Sequence, residues 1–518
     1  MFIDASAIVA ILTREPEADK LADTPEQART PITSPIAIFE GTLGVCRKRY
    51  ARMSSSTEIQ EEPRLRADAL SFGESVVMGV AGIGPAYSLA ATAAVLIGSV
   101  GVLAPASLLY CGLIMFGIVF AFRHLNRLDP NAGASYSWVT AIFSPAIGFI
   151  AGWTMISSSV LFMVSGTLPA AAATLKLFVP DLVDNQVAVT LIAVGWVVVI
   201  GAIVAKGIKL SSYAQIVFTV FEVGVVVLVI ALAAGGFATS SPRAYSSTWL
   251  TGAGFTPALF AAGAAIALFA FSGWDVTLNL NEETRDGARI AGLGSIAAAG
   301  MTVVLLAGFN AAALRLLSDG EIENAGINIV SAVAGKLMPH PWDYVAVIAV
   351  MLSTVGTLET SILQFARTVF AMGRDNVLHP RYARLHQTYR TPWLATLVIT
   401  MLGVLLLLLS LFTSGIKTVI GDSVNAVGFQ VAFYYSLAGL ACAWHFRRQA
   451  LTGLGRFILL VAWPLLGVGF CLFTAVCNVP TYDVTTNVLA IGGIAIGIIP
   501  YLWSRSRAAR RAAASAAE

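Results

Sequence analysis

Long apolar segments separated by short polar ones run along most of the chain. Each has about 20 residues or more, enough for a helix to cross the hydrocarbon core of a bilayer, which is roughly 30 Å thick. The pattern predicts twelve membrane-spanning helices, at residues 72–98, 101–122, 137–173, 186–205, 211–236, 256–281, 290–314, 343–371, 393–413, 424–446, 456–477 and 486–503. The third and eighth segments are longer than one crossing requires. The predicted fold class is therefore an all-α integral membrane protein.

The composition supports lipid as the surrounding solvent. Of 518 residues, 57% are hydrophobic and only 12% are charged, whereas about 25% of the residues of an average soluble domain are charged. So few charges cannot cover the surface of a soluble protein of this length, which excludes a soluble enzyme. The net charge of +3 indicates no nucleic-acid partner, and the five cysteines have no metal-ligand spacing. We therefore expect no metal and no cofactor, and the sequence leaves the oligomeric state open.

The loops between the predicted helices alternate in positive charge. One set, together with the chain after the last helix, carries 18 lysines and arginines, and the other set carries 5. Because short cytoplasmic loops hold the excess of positive residues, the richer set is assigned to the cytoplasm. This predicts a multi-pass protein of the inner (cytoplasmic) membrane with both termini cytoplasmic. The predicted organisation has a cytoplasmic tail at residues 53–70, a membrane domain at 71–505 and a second tail at 506–518.

Two of the predicted helices contain sequences that disfavour a continuous helix. In the first, Gly79–Pro85 holds three glycines and a proline within seven residues. Proline removes a backbone donor, and glycine has a low helix propensity. In the sixth, Phe269–Asp275 contains a glycine followed closely by an acid. Breaks in corresponding positions, five helices apart, are typical of transporters built from inverted repeats, in which they mark the substrate site. The alternative is that these glycines serve close helix packing.

The chemistry of a broken helix fits an α-amino acid. One half-helix exposes free amides, which attract a carboxylate, and the other exposes free carbonyls, which attract an ammonium group. The side chain of such a substrate is not determined. Small residues around Ile83 and Ser272 would suit a neutral side chain, whereas Asp275 and Glu359 would suit a basic amino acid or a polyamine.

Four motifs together resemble a known family, the amino acid–polyamine–organocation permeases. The resemblance covers about residues 70–505, and the motifs that carry it are Gly82-Ile83-Gly84-Pro85, Pro130–Trp138 followed by Phe143-Ser144-Pro145, Phe271–Asp275 followed by Asn281-Glu282-Glu283, and Ala366–Asp375. It implies the leucine-transporter fold, in which a 5+5 inverted repeat is followed by two further helices. It also implies alternating access and an amino acid or related amine as the substrate.

The resemblance also assigns roles to individual residues. The implied substrate-binding residues are Gly82, Ile83, Gly84, Phe269, Ala270, Ser272 and Gly273. The first three would meet the substrate carboxylate through backbone amides, and those of the sixth helix would hold the amine and gate the site. The alternative for Phe269 is that it faces lipid or only packs. Asp275 follows the second break, where relatives often carry an acid implicated in coupling.

Acidic residues inside a membrane helix are costly and suggest function. Four acids are candidates for coupling or gating: Glu222, Asp275, Glu282 and Glu359. Glu282 and its neighbour Glu283 are expected at the cytoplasmic interface, paired with Arg285 or Arg289. The role of Glu359 is open, because relatives usually have a neutral amide at that position.

Glu222 is the leading candidate for proton coupling. It lies 13 residues after Lys209, or about 20 Å along a helix, and is therefore deep in the membrane. By resemblance, some proton-coupled relatives place a lysine there. Burial favours the neutral form of a carboxyl group, which would let it carry a proton near neutral pH. The alternative is a permanently neutral residue that hydrogen-bonds across helices. The predicted function is proton-coupled amino acid uptake, with an exchanger or sensor that lacks proton coupling as the alternative.

The first 52 residues differ from the rest of the chain. They resemble the start of a PIN-domain ribonuclease, in which Asp4 and Glu40 would be two of the metal-binding carboxylates. The match stops near Met53, and a fragment of this size has too little core to fold alone. We expect a non-functional fragment, with Met53 as the native start. A membrane-tethered, metal-dependent ribonuclease is disfavoured because the remaining acids are missing.

Overall fold

A computed structural model describes residues 64–237, 241–412 and 416–515, with side chains described for 64–237, 241–412 and 419–506. The PIN-like fragment predicted at residues 1–52 lies outside the described residues. Within these ranges the chain is helical, and its only β-type pairing is an isolated parallel bridge between Leu70 and Thr284. The predicted all-α fold class is confirmed at this level.

The helices are numbered here in chain order. They are α1 Phe72–Ile83, α2 Pro85–Val100, α3 Ala104–Leu128, α4 Ser135–Ile142, α5 Pro145–Ser165, α6 Thr167–Phe178, α7 Gln186–Ala205, α8 Ile208–Ala234, α9 Thr248–Thr251, α10 Pro257–Ala270, α11 Val276–Asn279, α12 Gly287–Leu316, α13 Asp319–Ala325, α14 Ile329–Leu337, α15 Tyr344–Arg374, α16 Trp393–Leu409, α17 Ile416–Ala450, α18 Leu454–Phe457, α19 Trp463–Asn478, α20 Val484–Asn487, α21 Gly493–Ala495 and α22 Ile498–Ser515. Two π-helical segments, Ile458–Ala462 and Val488–Gly492, continue α18 and α20.

Ten helical segments in the described part of the chain are long and apolar enough to cross a membrane. The first of them, Phe72–Leu128, contains two of the predicted spans in one run of 57 residues. The sixth predicted span is represented by α10, which has only 14 residues because the helix ends at the second break. The third predicted span is interrupted between α4 and α5. The count of twelve spans therefore remains a prediction.

Helix α8 shows how the bundle is arranged with respect to lipid. It exposes Tyr213, Val217 and Val220 on one face, each more than 60% accessible, while Gln215 and Glu222 on the opposite face are buried. A soluble helix has the reverse pattern. An apolar exterior around a polar interior is expected when the surrounding solvent is lipid, where buried polar groups must find partners within the protein. The interior of the bundle is therefore the place to look for function.

Both predicted breaks lie in this interior. Helix α1 packs against α8, α12 and α15, and α10 packs against α2, α3 and α19. The half-helices on either side of each break are thus surrounded by other helices.

Candidate functional site

The first break is one residue long. Gly84 has φ 58° and ψ 75°, the left-handed conformation that glycine adopts without a Cβ penalty, and Pro85 begins α2. The amide of Gly84 donates to the Val80 carbonyl (2.8 Å), and its own carbonyl accepts from the Ser88 amide (2.8 Å). A Cβ at Gly84 would collide with the Thr357 hydroxyl. The position therefore requires glycine for both its conformation and its close approach to α15.

Side chains from distant helices satisfy the backbone groups that this break frees. The amide of Tyr87 donates to Ser353 Oγ (3.0 Å), and the amide of Ala86 donates to Glu222 Oε2 (3.4 Å). On the other side of the break, Thr357 Oγ1 donates to the Ala81 carbonyl (3.0 Å). The amides at the start of the second half-helix are thus already engaged.

The residues predicted to offer backbone amides to a substrate, Gly82, Ile83 and Gly84, precede the second half-helix. Gly82 and Ile83 belong to the last turn of α1, and the amide of Gly84 is used within that helix. The amides that this break leaves without a partner in their own helix are those of Ala86 and Tyr87. The sequence signal that could have found them is Pro85, because proline favours the first position of a helix, whose next amides have no helical partner.

The second break follows α10. Ser272 donates twice to the Phe269 carbonyl, from its amide (3.1 Å) and its hydroxyl (2.8 Å), and this closes the end of the helix. Gly273 then takes a positive φ of 105°, and a short helix resumes at Val276. Glycine is required here because the left-handed region is strained for other residues.

The two breaks contact each other through their backbones. A Cβ added at Gly82 would collide with the Gly273 carbonyl oxygen, and a Cβ added at Gly273 would collide with the Gly82 carbonyl oxygen. Residues nearly 200 positions apart are therefore brought together at one place, and both must be glycine.

A small cavity of about 50 Å³ lies at this contact. Five predicted substrate residues line it: Gly82, Ile83, Phe269, Ser272 and Gly273. Gly84 and Ala270 are buried beside it and do not line it. Further hydroxyl groups come from Ser158 and Ser159 of α5 and from Thr357 and Ser361 of α15.

A larger cavity of about 430 Å³ adjoins the small one. Its far end reaches Lys176, Asn328 and Asn478, and Tyr87 and Phe269 line both cavities. The ring of Tyr87 contacts Phe162 and Phe269 edge-to-face, with centroids 5.8 and 6.4 Å apart. These aromatic rings form the partition between the two cavities. Phe269 is 8% exposed and faces the cavities, so it does not face lipid.

Asp275 is fully buried just beyond the second break and accepts three hydrogen bonds. Its Oδ1 accepts from the Tyr435 hydroxyl (2.8 Å), and its Oδ2 accepts from the Tyr434 hydroxyl (2.9 Å) and from Gln364 Nε2 (2.8 Å). Tyr434 and Gln364 also line the small cavity. Sequence reasoning missed these three partners, although two adjacent tyrosines in an apolar span were a visible signal.

Glu222 and Glu359 are also fully buried, in the groove between α8 and α15. Glu222 accepts from the Ala86 amide and lies beside Ser353. Glu359 Oε2 accepts from Gln215 Nε2 (3.0 Å) and its carboxyl lies beside Ser211. The partners that the described residues give these two acids are all neutral. Neither acid lines the small cavity.

The remaining predicted acid, Glu282, lies in a charged cluster at the other end of the bundle. Arg374 holds both its carboxylate oxygens, at 2.9 and 3.1 Å, and the Ala132 amide adds a third contact (2.8 Å). Its neighbour Glu283 forms a fully buried pair with Arg367, at 2.9 and 3.0 Å.

The predicted partners of Glu282 and Glu283, Arg285 or Arg289, are therefore wrong. Both glutamates are held by arginines of α15, more than 80 residues away in the chain. The side chain of one of these arginines, Arg367, is completely buried in the bundle. The error arises because neighbours in sequence on a short connection point to different sides of the bundle.

Known proteins resemble this chain over most of its length. The family model described as amino acid permease matches residues 67–499. An uncharacterized transporter of Mycobacterium tuberculosis is 28% identical over 87% of this chain and 94% of its own length. The serine/threonine exchanger SteT of Bacillus subtilis is 22% identical over 58% of this chain and 67% of its own length. A methylthioribose transporter of the same organism is 23% identical over 56% of this chain and 65% of its own length.

Proposed function

The chain belongs to the amino acid permease family, and from that premise we propose that it is a secondary active transporter driven by protons. It would move an amino acid across the cytoplasmic membrane by alternating access, within a 5+5 inverted repeat and with both termini cytoplasmic. The observation that carries the proposal is the direct backbone contact between Gly82 and Gly273, where two broken helices enclose a small polar cavity. Broken helices that meet in the interior of a membrane bundle supply main-chain groups for a substrate.

The two ends of the bundle support an outward-facing state. The larger cavity leads from Lys176 and Asn328, in loops predicted to be extracellular, down to the rings of Tyr87 and Phe269. The opposite end is closed by the bidentate pairs of Arg367 with Glu283 and Arg374 with Glu282. Transport in this scheme requires the aromatic partition to open for the substrate and to close again behind it, and then requires these pairs to separate.

The small cavity supports a small polar amino acid as the substrate. Its volume of about 50 Å³ and its serine and threonine hydroxyls suit a compact side chain better than a long basic one. Tyr434 uses its only hydrogen-bond donor on Asp275, and Gln364 uses one of its two. The oxygens of both side chains remain available as acceptors, and they suit an ammonium group.

A ligand screen tests the substrate. Purified protein in detergent is heated with each of the twenty amino acids, with common polyamines and with methylthioribose, because a ligand that binds only the folded state raises the melting temperature. We expect serine, threonine or alanine to raise it and lysine, arginine and the polyamines not to. Stabilisation by the basic compounds alone would contradict this substrate class.

Glu222 is proposed as the residue that couples transport to protons. Its carboxyl meets the Ala86 amide, the first free donor of the second half-helix. Protonation of the carboxyl removes the charge that this amide contacts, so the proton and the break are linked. The position is buried and has no basic partner among the described contacts.

Uptake into proteoliposomes tests the coupling. We expect an inward proton gradient to raise the initial rate of the wild type at least fivefold, and Glu222→Gln to lose this response. Glu323→Gln, an exposed acid outside the cavities, is the matched control and should respond like the wild type. The coupling is refuted if wild-type uptake is indifferent to the gradient and Glu222→Gln transports normally.

Exchange without proton coupling is the second candidate function, and the similarity to a serine/threonine exchanger favours it. The same vesicles distinguish the two functions. An exchanger takes up labelled substrate only when unlabelled substrate is present inside, whatever the pH on either side. A symporter accumulates substrate in empty vesicles under a proton gradient.

A further inference from the structure

A line of buried polar groups runs between α8 and α15. On α8 it begins with the adjacent Ser211 and Ser212 and continues at intervals of three or four residues along one helix face, with Gln215, Thr219 and Glu222. On α15 it comprises Ser353, Gly356 and Glu359. We call this set the polar seam. None of these residues lines the small cavity.

The seam connects Glu222 to the end of the bundle that is predicted to face the cytoplasm. Its inner end is Glu222 at the first break, beside Ser353. Its outer end is Ser212, which donates to Glu74 Oε1 (2.9 Å). Lys209 contacts the same oxygen at 2.9 Å. The side chain of Glu74 is 13% exposed and that of Lys209 is 33% exposed. The seam therefore begins at a buried acid and ends at an acid that reaches solvent.

Glu359 lies between these two ends. Gln215 Nε2 bridges Glu359 Oε2 (3.0 Å) and the Gly356 carbonyl (2.8 Å). Gln215 precedes Glu222 by seven residues, or about 10 Å along α8, and Ser353 precedes Glu359 by six residues, or about 9 Å along α15. Both helices thus place Glu359 about two turns from Glu222. Thr219 occupies the turn between them.

Four polar atoms of the seam have no hydrogen-bond partner: Ser211 Oγ, Gln215 Oε1, Thr219 Oγ1 and Glu359 Oε1. All four residues are at least 97% buried. Buried polar atoms normally have partners, and leaving them without one is costly. Two of the four atoms, Gln215 Oε1 and Glu359 Oε1, can only accept when Glu359 is ionised. A proton on Glu359 would turn one of these acceptors into a donor.

We propose that Glu359 is a second proton-binding carboxyl, and that the polar seam carries protons between Glu222 and Glu74. This inference rests on the proposed proton coupling. In each cycle the O–H bond of the Glu222 carboxyl breaks, and the Thr219 hydroxyl between the two acids takes up that proton as it gives its own to the Glu359 carboxylate. Glu359 then releases a proton towards Glu74 and the cytoplasm. The hydroxyl is restored in each transfer, so the net change is one carboxylic acid that becomes a carboxylate and one carboxylate that becomes a carboxylic acid.

The charges around the seam suit this role. The residues that contact Glu359 from α8, Gln215 and Ser211, are neutral. The ionisable side chains along the seam are Glu222 and Lys209 on α8 and Glu74 on α1. Lys209 is paired with Glu74 at the exposed end, so it does not hold Glu359 in its charged form.

Net uptake and exchange respond differently to a lost proton path, and this difference provides the test. Net uptake requires the proton to leave on the inside in every cycle, whereas exchange of internal for external substrate at equal pH does not. For Glu359→Gln we expect gradient-driven uptake to fall at least tenfold and exchange to stay within twofold of the wild type. Thr219→Val interrupts the seam without removing an acid, and should lower gradient-driven uptake about threefold.

Thr354→Val is the matched control, because its hydroxyl bonds the Val350 carbonyl of its own helix and lies outside the seam. It should behave like the wild type in both assays. If the wild type itself ignores the gradient, the proposed coupling fails. If the wild type responds and Glu359→Gln responds equally, the coupling stands and the seam is overturned. Equal loss of uptake and exchange in a Glu359→Gln protein that still binds substrate would also overturn it.

Discussion

Five acids in the described bundle fall into two groups that differ in their partners; Glu282 is about one fifth exposed and the other four are buried. At the predicted cytoplasmic end, Glu282 and Glu283 each accept two hydrogen bonds from the guanidinium group of one arginine. In the middle of the bundle, Glu222, Asp275 and Glu359 contact only amides, hydroxyls and the amide group of glutamine. The first group is locked in ion pairs, while the second group has only neutral partners.

The physical basis of this difference is the cost of an unpaired charge. An arginine fork presents parallel donors that match a carboxylate, which makes such pairs short and strong. Removing one partner of a buried pair leaves the other charge without compensation. A hydroxyl or an amide carries no net charge, and a hydroxyl can donate or accept. Charged pairs therefore suit closure of one end, and neutral partners suit proton exchange in the middle.

The largest expected effect is on the locked group. Arg367→Ala leaves Glu283 as an uncompensated buried charge and should lower the free energy of unfolding by about 3–5 kcal/mol. Chemical unfolding of the purified protein in detergent measures it. The control is Arg381→Ala, an exposed arginine, with no change expected. Replacing both partners, as Arg367→Met with Glu283→Leu, should recover most of the loss. A loss below about 1 kcal/mol in the single variant would show that the pair does not lock this end.

Asp275→Asn is expected to have an intermediate effect. The amide keeps the size of the carboxyl but offers only one acceptor oxygen to the donors Tyr434, Tyr435 and Gln364. Since a hydrogen bond to a charged group contributes about 1.5–3 kcal/mol, we expect a loss of stability near 2 kcal/mol. Uptake should fall at least tenfold, because the oxygens that face the small cavity are reoriented.

Tyr435→Phe is the matched control for Asp275. It removes one donor to Asp275 and the acceptor of a long bond from the Gly273 amide (3.4 Å). Tyr435 does not line the small cavity, and the change should cost about half as much stability. If Asp275→Asn were as stable and as active as the wild type, the mid-membrane carboxyl would not depend on its three donors.

The smallest effect is expected at the second charged pair. The side chains of Arg374 and Glu282 are about one fifth exposed, at 21% and 19%. Solvent screening then limits the loss of stability in Arg374→Ala to about 1 kcal/mol or less. Because the pair still helps to close one end, efflux of preloaded substrate from vesicles should become about threefold faster. Unchanged efflux would show that the pair of Arg374 and Glu282 does not control this end of the bundle. The buried pair of Arg367 and Glu283 would then be the one that closes it.

Much of the fold was predictable because its causes are local. Apolar length predicted a helical membrane protein, and the motifs predicted the amino acid permease family, which the match over residues 67–499 confirms. Pro85 and Gly84 predicted the first break, and Gly273 the second, because proline lacks an amide hydrogen and glycine permits positive φ. Both glycines of the close contact, Gly82 and Gly273, belong to the predicted breaks.

The candidate site was predictable only in part. Five of the seven predicted substrate residues line the small cavity, because they belong to the breaks themselves. The partners of the acids were not predictable. Glu282 was assigned to an arginine close in sequence and is held by one 92 residues away. Tyr434 and Gln364 lie 159 and 89 residues from the aspartate they contact.

The sequence by itself thus determined the surrounding solvent, the helices and the places where they break, since each depends on the chemistry of a few consecutive residues. Only the tertiary structure decided what meets each freed backbone group and each buried charge. The Ala86 amide donates to Glu222, 136 residues away in the chain, and the Ala81 carbonyl accepts from Thr357, 276 residues away. Many helices of the bundle carry hydroxyls and amides that could serve, so the choice among them depends on how the helices pack. Inside a membrane that choice is strict, because buried polar groups have no bulk water to replace a missing partner.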